Sequence, residues 1–268
     1  MRISIVTPTV NAARFLDNCA RSVSLERSAD VEIEHLIVDG GSTDQTLDIA
    51  RNHGCAIVQG KDNGIFDAAN RGYEAASGEV VGFLGADDEL ATGAARTIRD
   101  WFVKRDTEWA VGSVRWIDGE GKSLGDIGPP PAWLTKEIYA SLGWNCIHHL
   151  STYVTPAFFR RLGGFDTSFR YSGDYDLFAR ALGLEPYCRL RGTIGHFRRH
   201  GENASMSRDP RKAREDELVA ARYGPRSAAV RRRNKLMLQL WLNGTNPRWA
   251  AGKLISARSK RSPAESLG

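Results

Sequence analysis

The chain has 268 residues, 41% of them hydrophobic and 26% charged, the make-up of a globular protein with room for one large α/β domain or a domain plus an appendage. No stretch approaches the roughly 18 apolar residues of a membrane span, and the apolar run at the N-terminus stops at Pro8, so neither a spanning helix nor a signal-peptide core is expected. The net charge of +5 hides an asymmetry: residues 222–261 hold 11 Arg or Lys and no acid, against 26 basic and 32 acidic residues elsewhere, so a mildly acidic body carries a basic tail.

In chain order, Ile3–Thr7, Ile33–Asp39, Ala56–Gln59 and Val80–Leu84 read as buried strands. Between them Ala12–Leu25, Thr43–Asn52 and Ile65–Ala76 carry helical periodicity, with Ser42-Thr43-Asp44-Gln45 as a capping box for the second helix. Strand–helix alternation at this spacing predicts a parallel sheet with right-handed crossovers, and such sheets bind ligands at the carboxyl ends of their strands. Thr7, Asp39, Gln59 and Asp87 are therefore expected along one edge. Further on, Trp109–Ile117 reads as a strand, 118–131 as a turn-rich loop with three consecutive prolines, and 148–154 as another strand. Pro156–Leu162 is a short helix with Pro at its first position, Tyr171–Leu184 a longer one, and Thr193–Arg199 a last strand. Helical pattern resumes beyond Asp209, broken at Gly224-Pro225 and near Gly244–Pro247.

Cys19, Cys55, Cys146 and Cys188 lie far apart with no C-x-x-C pair and no His at zinc spacing. They read as free thiols of a reducing compartment, which places the chain in the cytoplasm.

Three stretches of the first half can carry chemistry. LIVDGGSTD (36–44) is a strand ending in Asp39 and a tight turn; it is either turn chemistry with a helix cap or a place where Asp39 accepts hydrogen bonds from a base or ribose. It is not a dinucleotide fingerprint, and the chain has no G-x-x-x-x-G-K-S/T phosphate loop. QGKDNGIFDAANRG (59–72) sets Asp67 and Asn70 on one helix face near its N-terminus, either as a polar face or as ligand contacts. VVGFLGADDEL (80–90) ends a buried strand in Asp87, Asp88 and Glu89. Adjacent carboxylates at a core edge repel, and they become favourable when a divalent cation such as Mg²⁺ or Mn²⁺ shares them with phosphate and water.

Taken together with ISIVTPTVN (3–11), GGFDTSFRYSGDYDLFAR (163–180) and FRRHGENAS (197–205), these stretches resemble the family 2 inverting nucleotide-sugar glycosyltransferases. The resemblance spans about residues 1–205. It implies a GT-A fold of class α/β, Rossmann-like, with a central mostly parallel sheet flanked by helices. Residues 1–105 would form the nucleotide-sugar half, 106–205 the acceptor and catalytic half, and 206–268 a basic helical extension. By the same resemblance Thr7, Thr9 and Asp39 contact the nucleotide base, with Pro8, Asp67 and Asn70 also on the donor. Asp87 touches the ribose, Asp88 holds Mn²⁺ or Mg²⁺, and His200 lies near that metal. Some members have a third Asp two residues before the pair, where this chain has Gly85, so fewer protein ligands are expected.

Displacement at an anomeric carbon needs a base for the acceptor hydroxyl. Asp174 sits at a helix start where its carboxylate can project into a cleft, and it matches the family's base; Gly173 stands where an acidic neighbour is usual. Asp176 is spaced for an ion pair with Arg180. Arg198 and Arg199 are placed to neutralise phosphate, or to be solvated surface residues. His148 and His149 are expected on the acceptor side.

The chain is thus expected to be a metal-dependent hexosyltransferase. It would move a sugar from a UDP donor, with GDP or dTDP as alternatives, to a hydroxyl of a glycan, glycolipid or lipid-linked acceptor. The basic tail, 222–261, either meets an anionic membrane at the inner face or packs on the body through Leu236, Met237 and Leu240; no nucleic-acid module accompanies it. A sugar nucleotidyltransferase is a rival reading, although TPTVNAARF lacks the Gly-rich basic loop of such enzymes. A non-catalytic nucleotide-sugar or lipid-binding protein is the other.

Overall fold

The strand β1 (Arg2–Thr9) is buried almost throughout, the pattern of a strand covered on both faces. The computed structural model, which describes residues 1–201, 203, 207 and 209–246, places it at the centre of a parallel set. On one side it pairs in parallel with β2 (Glu32–Asp39), which pairs in parallel with β3 (Ala56–Gln59). On the other side it pairs in parallel with β4 (Val80–Phe83). Thr9, Asp39 and Gln59 share one register row, so the carboxyl ends of three strands align. Thr7 falls opposite Ile37, two residues short of that row.

Alternation along β1 divides the core. Ile3 and Ile5 face α1 (Ala13–Ser24) and α4 (Ala94–Lys104) in a cluster with Leu16, Val23 and Ile98. Val6 points the other way, among Phe66 and Tyr73 of α3 (Ile65–Ala75) and Phe158 of α6 (Pro156–Leu162). Thr155 caps α6 by accepting from the Phe158 amide.

Beyond β4 the sheet becomes mixed. The short strand β8 (Thr152–Val154), entered through a single 3₁₀ turn at His149–Ser151, is antiparallel to both β4 and β6 (Trp109–Ile117). On its far side β6 is parallel to β9 (Cys188–Arg198), and β5 (Glu89–Leu90) is antiparallel to β9 at the edge. The order is β3-β2-β1-β4-β8-β6-β9-β5, with β7 (Ser123–Ile127) paired to β6.

Four details differ from the sequence reading. The loop 118–131 contains β7, because Arg115 of β6 pairs with Asp126 across a hairpin. α2 (Thr46–Asn52) starts three residues late, since Ser42 donates to Asp39 and Asp44 accepts from Thr46, which occupies the supposed capping box in the loop. β9 begins at Cys188 rather than Thr193, extended by pairing with β6. In α9 (Ala228–Thr245) the packing face is Asn234, Leu238 and Leu242, whereas Leu236, Met237 and Leu240 are 57%, 40% and 64% exposed. Leu236 and Leu240 sit on the side opposite the packing face and Met237 at its flank, so the apolar stripe read from the sequence is not the one that docks.

α8 (Pro210–Tyr223) and α9 pack on α5 (Lys136–Ala140), and α8 also on α7 (Gly173–Leu184). Residues of the tail beyond Asn246, Trp249 included, lie outside the described residues. All four cysteines are free, and among the described residues no helix is long and apolar enough to cross a membrane.

Candidate active site

A cavity of about 510 Å³ opens at the carboxyl end of β1, lined by Pro8, Thr9, Arg14, Phe15, Asp87 and His200 among others. Its first wall is the turn after β1, where Asn11 adopts a left-handed conformation (φ +50°) that Asn tolerates better than most residues. The Asn11 amide donates to Ser42 Oγ, and its side-chain oxygen accepts from the Thr43 amide, which ties the first two βα loops together. Asp39 is 1% exposed and builds this loop: its carboxylate accepts from the amides of Gly41 and Ser42 at 3.0 Å and from the Ser42 hydroxyl at 2.5 Å.

Four of the residues expected on the donor have partners within the protein. Thr7 is fully buried, with its hydroxyl 3.0 Å from His35 Nε2, so it supports the edge from behind. Burial pushes His35 down to about 3, which keeps it neutral there. Asp39 is likewise not among the cavity-lining residues. Asp67 closes its own turn by accepting from the Asn63 amide. Asn70 pairs with the Phe165 backbone in both directions, donating to its oxygen at 2.9 Å and accepting from its amide at 2.8 Å, and so joins the two halves of the chain. Of the residues expected on the donor, Pro8, Thr9 and Asp87 line the cavity.

The carboxylate pair divides unequally. Asp88 is 1% exposed, and its Oδ1 accepts from the Arg198 amide at 2.9 Å. Burial first, and the neighbouring Asp87 charge second, push its carboxyl well above the usual range. Asp87 is the accessible member: its Oδ2 lies 2.8 Å from His200 Nε2 and accepts from Asn203 Nδ2 at 3.0 Å. Both carboxylates line the cavity, Asp88 more deeply buried beneath the Arg198 amide at the end of β9 and Asp87 more exposed beside His200 and Asn203. Gly85 makes the arrangement possible, since a Cβ there would lie 2.7 Å from Asp88 Oδ2 and 2.8 Å from Asp87 Oδ1.

A carboxylate oxygen and an imidazole nitrogen at this separation form a donor pair suited to Mn²⁺ or Mg²⁺, with the remaining positions left to phosphate and water. Among the described residues no group of three or more His, Cys, Asp or Glu could hold a metal. Arg198 is not available for phosphate. It is 2% exposed, pairs with Glu89, and donates to the Asp87, Asp118 and Gly119 carbonyls. Arg199 lies over the Trp116 ring at the adjoining cavity.

That second cavity, about 480 Å³, contains Asp174. Asn145 Nδ2 donates to Asp174 Oδ2 at 2.7 Å, the Tyr175 amide donates to its Oδ1, and His149 Nδ1 lies 3.6 Å away. Asn145 is itself fixed by Tyr139 and the Ile147 amide. The neighbouring acid is absent for a steric reason: a Cβ at Gly173 would come within 2.7 Å of the Phe66 ring. His148 is held neutral by burial, which pushes it down to about 4. His149 and Phe197 line both cavities, so the two meet at these side chains.

α8 fixes the loop that leads to Asp174. Glu215 is 5% exposed and accepts from three consecutive amides, Arg170, Tyr171 and Ser172, while Asp216 accepts from the Ser172 hydroxyl. Two residues past Asp174, the buried Asp176 is paired with Arg180 of its own helix and with Arg222 and Tyr223 of α8. Asp176 is a structural anchor. Asn145 and Glu215 sit in no spaced motif and so carry no sequence signal; Asn203 and Phe15 lie inside quoted motifs without an assigned role.

The model of glycosyl transferase family 2 matches residues 4–160. Over 93 residues the chain is 44% identical to a PGL/p-HBAD biosynthesis glycosyltransferase of Mycobacterium bovis, a match covering 32% of this chain and 36% of the relative. It therefore spans about a third of the length of that curated relative. The fold resembles S. aureus TarS in complex with UDP-GlcNAc, with a TM-score of 0.67 at 18% identity over 89% of this chain and 72% of that one. It also resembles the mannosyltransferase PcManGT of Pyrobaculum calidifontis in complex with GDP-Man and Mn²⁺, with a TM-score of 0.56 at 19% identity over 98% and 76%. The architecture is accordingly of the GT-A type.

Proposed function

The chain belongs to glycosyl transferase family 2, and from that premise we propose that it transfers a sugar from a nucleoside-diphosphate donor to an acceptor hydroxyl with inversion. The observation that carries this reading is the junction of two cavities at His149 and Phe197, one holding Asp87 and His200 and the other Asp174. The donor occupies the first, with UDP as the favoured nucleotide and GDP or dTDP as alternatives. The acceptor occupies the second.

Asp174 Oδ2, oriented by Asn145, takes the proton of the acceptor hydroxyl as its oxygen bonds to the anomeric carbon. The bond from that carbon to the diphosphate breaks on the opposite face, which inverts the configuration. Asp87 and His200 would hold Mn²⁺ or Mg²⁺, whose charge stabilises the departing diphosphate. His149 stands where the two substrates would meet.

We also read the outer face of α9 as a surface for anionic lipid. Arg232, Arg233 and Lys235 are exposed beside Leu236, Met237 and Leu240, and no acidic residue lies on this helix.

The test of the transferase reading is Asp174→Asn, assayed for nucleoside-diphosphate release from UDP-sugars with Mn²⁺ and with a chelator. Donor binding is expected to persist while transfer is lost. Full transfer by this variant would remove Asp174 from the mechanism.

A further inference from the structure

The cavity around Asp174 carries information about the acceptor. Its walls come from Trp116 and Ile127 of the β6–β7 hairpin, Trp144, Phe197, and Leu242 of α9. Most of its polar lining is already occupied within the protein. Lys212 is paired with Asp216, which also accepts from Ser172. Asn246 accepts from the Gly128 amide and donates to the Leu242 carbonyl, and the Tyr171 hydroxyl donates to Asp209. The Arg199 guanidinium lies 4.9 Å from the centre of the Trp116 ring. Hydrogen-bonding capacity toward a ligand is concentrated at Asp174 and His149, backed by Asn145, with the Arg199 guanidinium and the Trp116 indole N–H, which is buried without a hydrogen-bond partner, as the further donors.

A polyhydroxylated chain placed here would lose water from many hydroxyls and recover few hydrogen bonds, which is unfavourable. A molecule with a hydroxyl at one end and an apolar remainder satisfies both parts of the lining. We infer that the acceptor is an amphiphile, its hydroxyl at Asp174 and its apolar portion against Trp116, Ile127, Trp144, Phe197 and Leu242. This inference rests on the reading of the second cavity as the acceptor site. It assigns a share of acceptor recognition to α9, whose inner face supplies Leu242 while its outer face carries the exposed leucines.

The test needs no donor, so it can fail while the transferase reading stands, and the reverse also holds. Methyl, butyl, hexyl and octyl β-D-glucosides are titrated below their micelle concentrations against the full chain, with tryptophan emission as the readout because Trp116 and Trp144 line the cavity. Affinity is expected to rise about two- to fourfold per methylene. Ile127→Asn and Leu242→Asn are each expected to weaken octyl glucoside binding about tenfold or more. Equal affinity across the wild-type series overturns the inference whether or not those variants fold. Binding that instead follows the outer-face variant Leu236→Gln/Leu240→Gln also overturns it.

Discussion

Asn145 donates to Asp174 Oδ2 at 2.7 Å, and this contact sets the direction in which the carboxylate meets the acceptor cavity. Asn145 reaches no nucleotide-side residue in the described hydrogen bonds, so under the proposed mechanism its effect runs through Asp174. Asn145→Ala is expected to lower kcat roughly 10- to 100-fold, in line with the cost of a misplaced catalytic group, while nucleotide affinity stays unchanged. Steady-state kinetics beside a nucleotide titration separates the two. Equal loss of nucleotide binding would show that Asn145 shapes the donor cavity instead.

Asp87 and Asp88 are separable by substitution. Asp87→Asn removes the accessible oxygen beside His200 and is expected to weaken Mn²⁺-dependent nucleotide binding about 10- to 100-fold. Asp88→Asn keeps an acceptor for the Arg198 amide and removes a buried charge, so metal dependence is expected to survive. Calorimetry of UDP binding with and without Mn²⁺ decides between them. The opposite ranking would return the metal to Asp88.

Glu215 satisfies three consecutive backbone amides at the entrance to α7. Glu215→Ala leaves those donors in a largely buried position, at a cost of about 3 kcal/mol. Urea unfolding measures the loss. Because the same loop leads into Asp174, kcat is expected to fall as well at temperatures where the variant remains folded, and a stability loss without a kcat effect would confine Glu215 to folding.

Stability should depend on pH through two buried histidines. Burial holds His35 at about 3 and His148 at about 4, both below the ordinary 6.5. The unfolded chain therefore binds protons that the folded chain refuses as pH drops below about 6.5. Their contribution is complete above that pH. It is lost at roughly 1.4 kcal/mol per pH unit for each histidine, ending near 4 for His148 and near 3 for His35. Urea midpoints at pH 7 and 5 measure the slope, and His35→Asn is expected to remove about half of the histidine part.

The outer face of α9 should respond to lipid charge. Co-sedimentation with vesicles containing phosphatidylglycerol is expected to exceed that with phosphatidylcholine alone and to weaken with added salt. Leu236→Gln/Leu240→Gln is expected to reduce the bound fraction severalfold, since both residues are solvent-facing and their loss leaves the core intact. Equal binding to both vesicle types would leave this face without a lipid role.

The elements that packing of one strand against its neighbours determines were legible from residue order. The apolar runs of β1, β2, β3 and β4, the Pro at the first position of α6 and the paired acids after β4 all announce themselves locally, because period, backbone restriction and charge are properties of adjacent residues. Accessibility is not such a property. How deeply Asp87 and Asp88 are each buried at the cavity depends on Arg198, Asn203 and His200, which arrive more than a hundred positions later through β9. The same holds for α9, where a helical repeat supports more than one apolar stripe and only the neighbouring helices choose Leu238 and Leu242 over Leu236 and Leu240.

Sequence by itself therefore determined the family, the alternating α/β order, and the residue types available for an acid–base and metal chemistry. Tertiary structure decided which of those residues meet. It gave Thr7, Asp39, Asp67 and Asn70 backbone or side-chain partners within the protein. It also brought Asn145 to Asp174 and closed the two cavities on His149, contacts made across segments whose spacing in the chain carries no periodic signal.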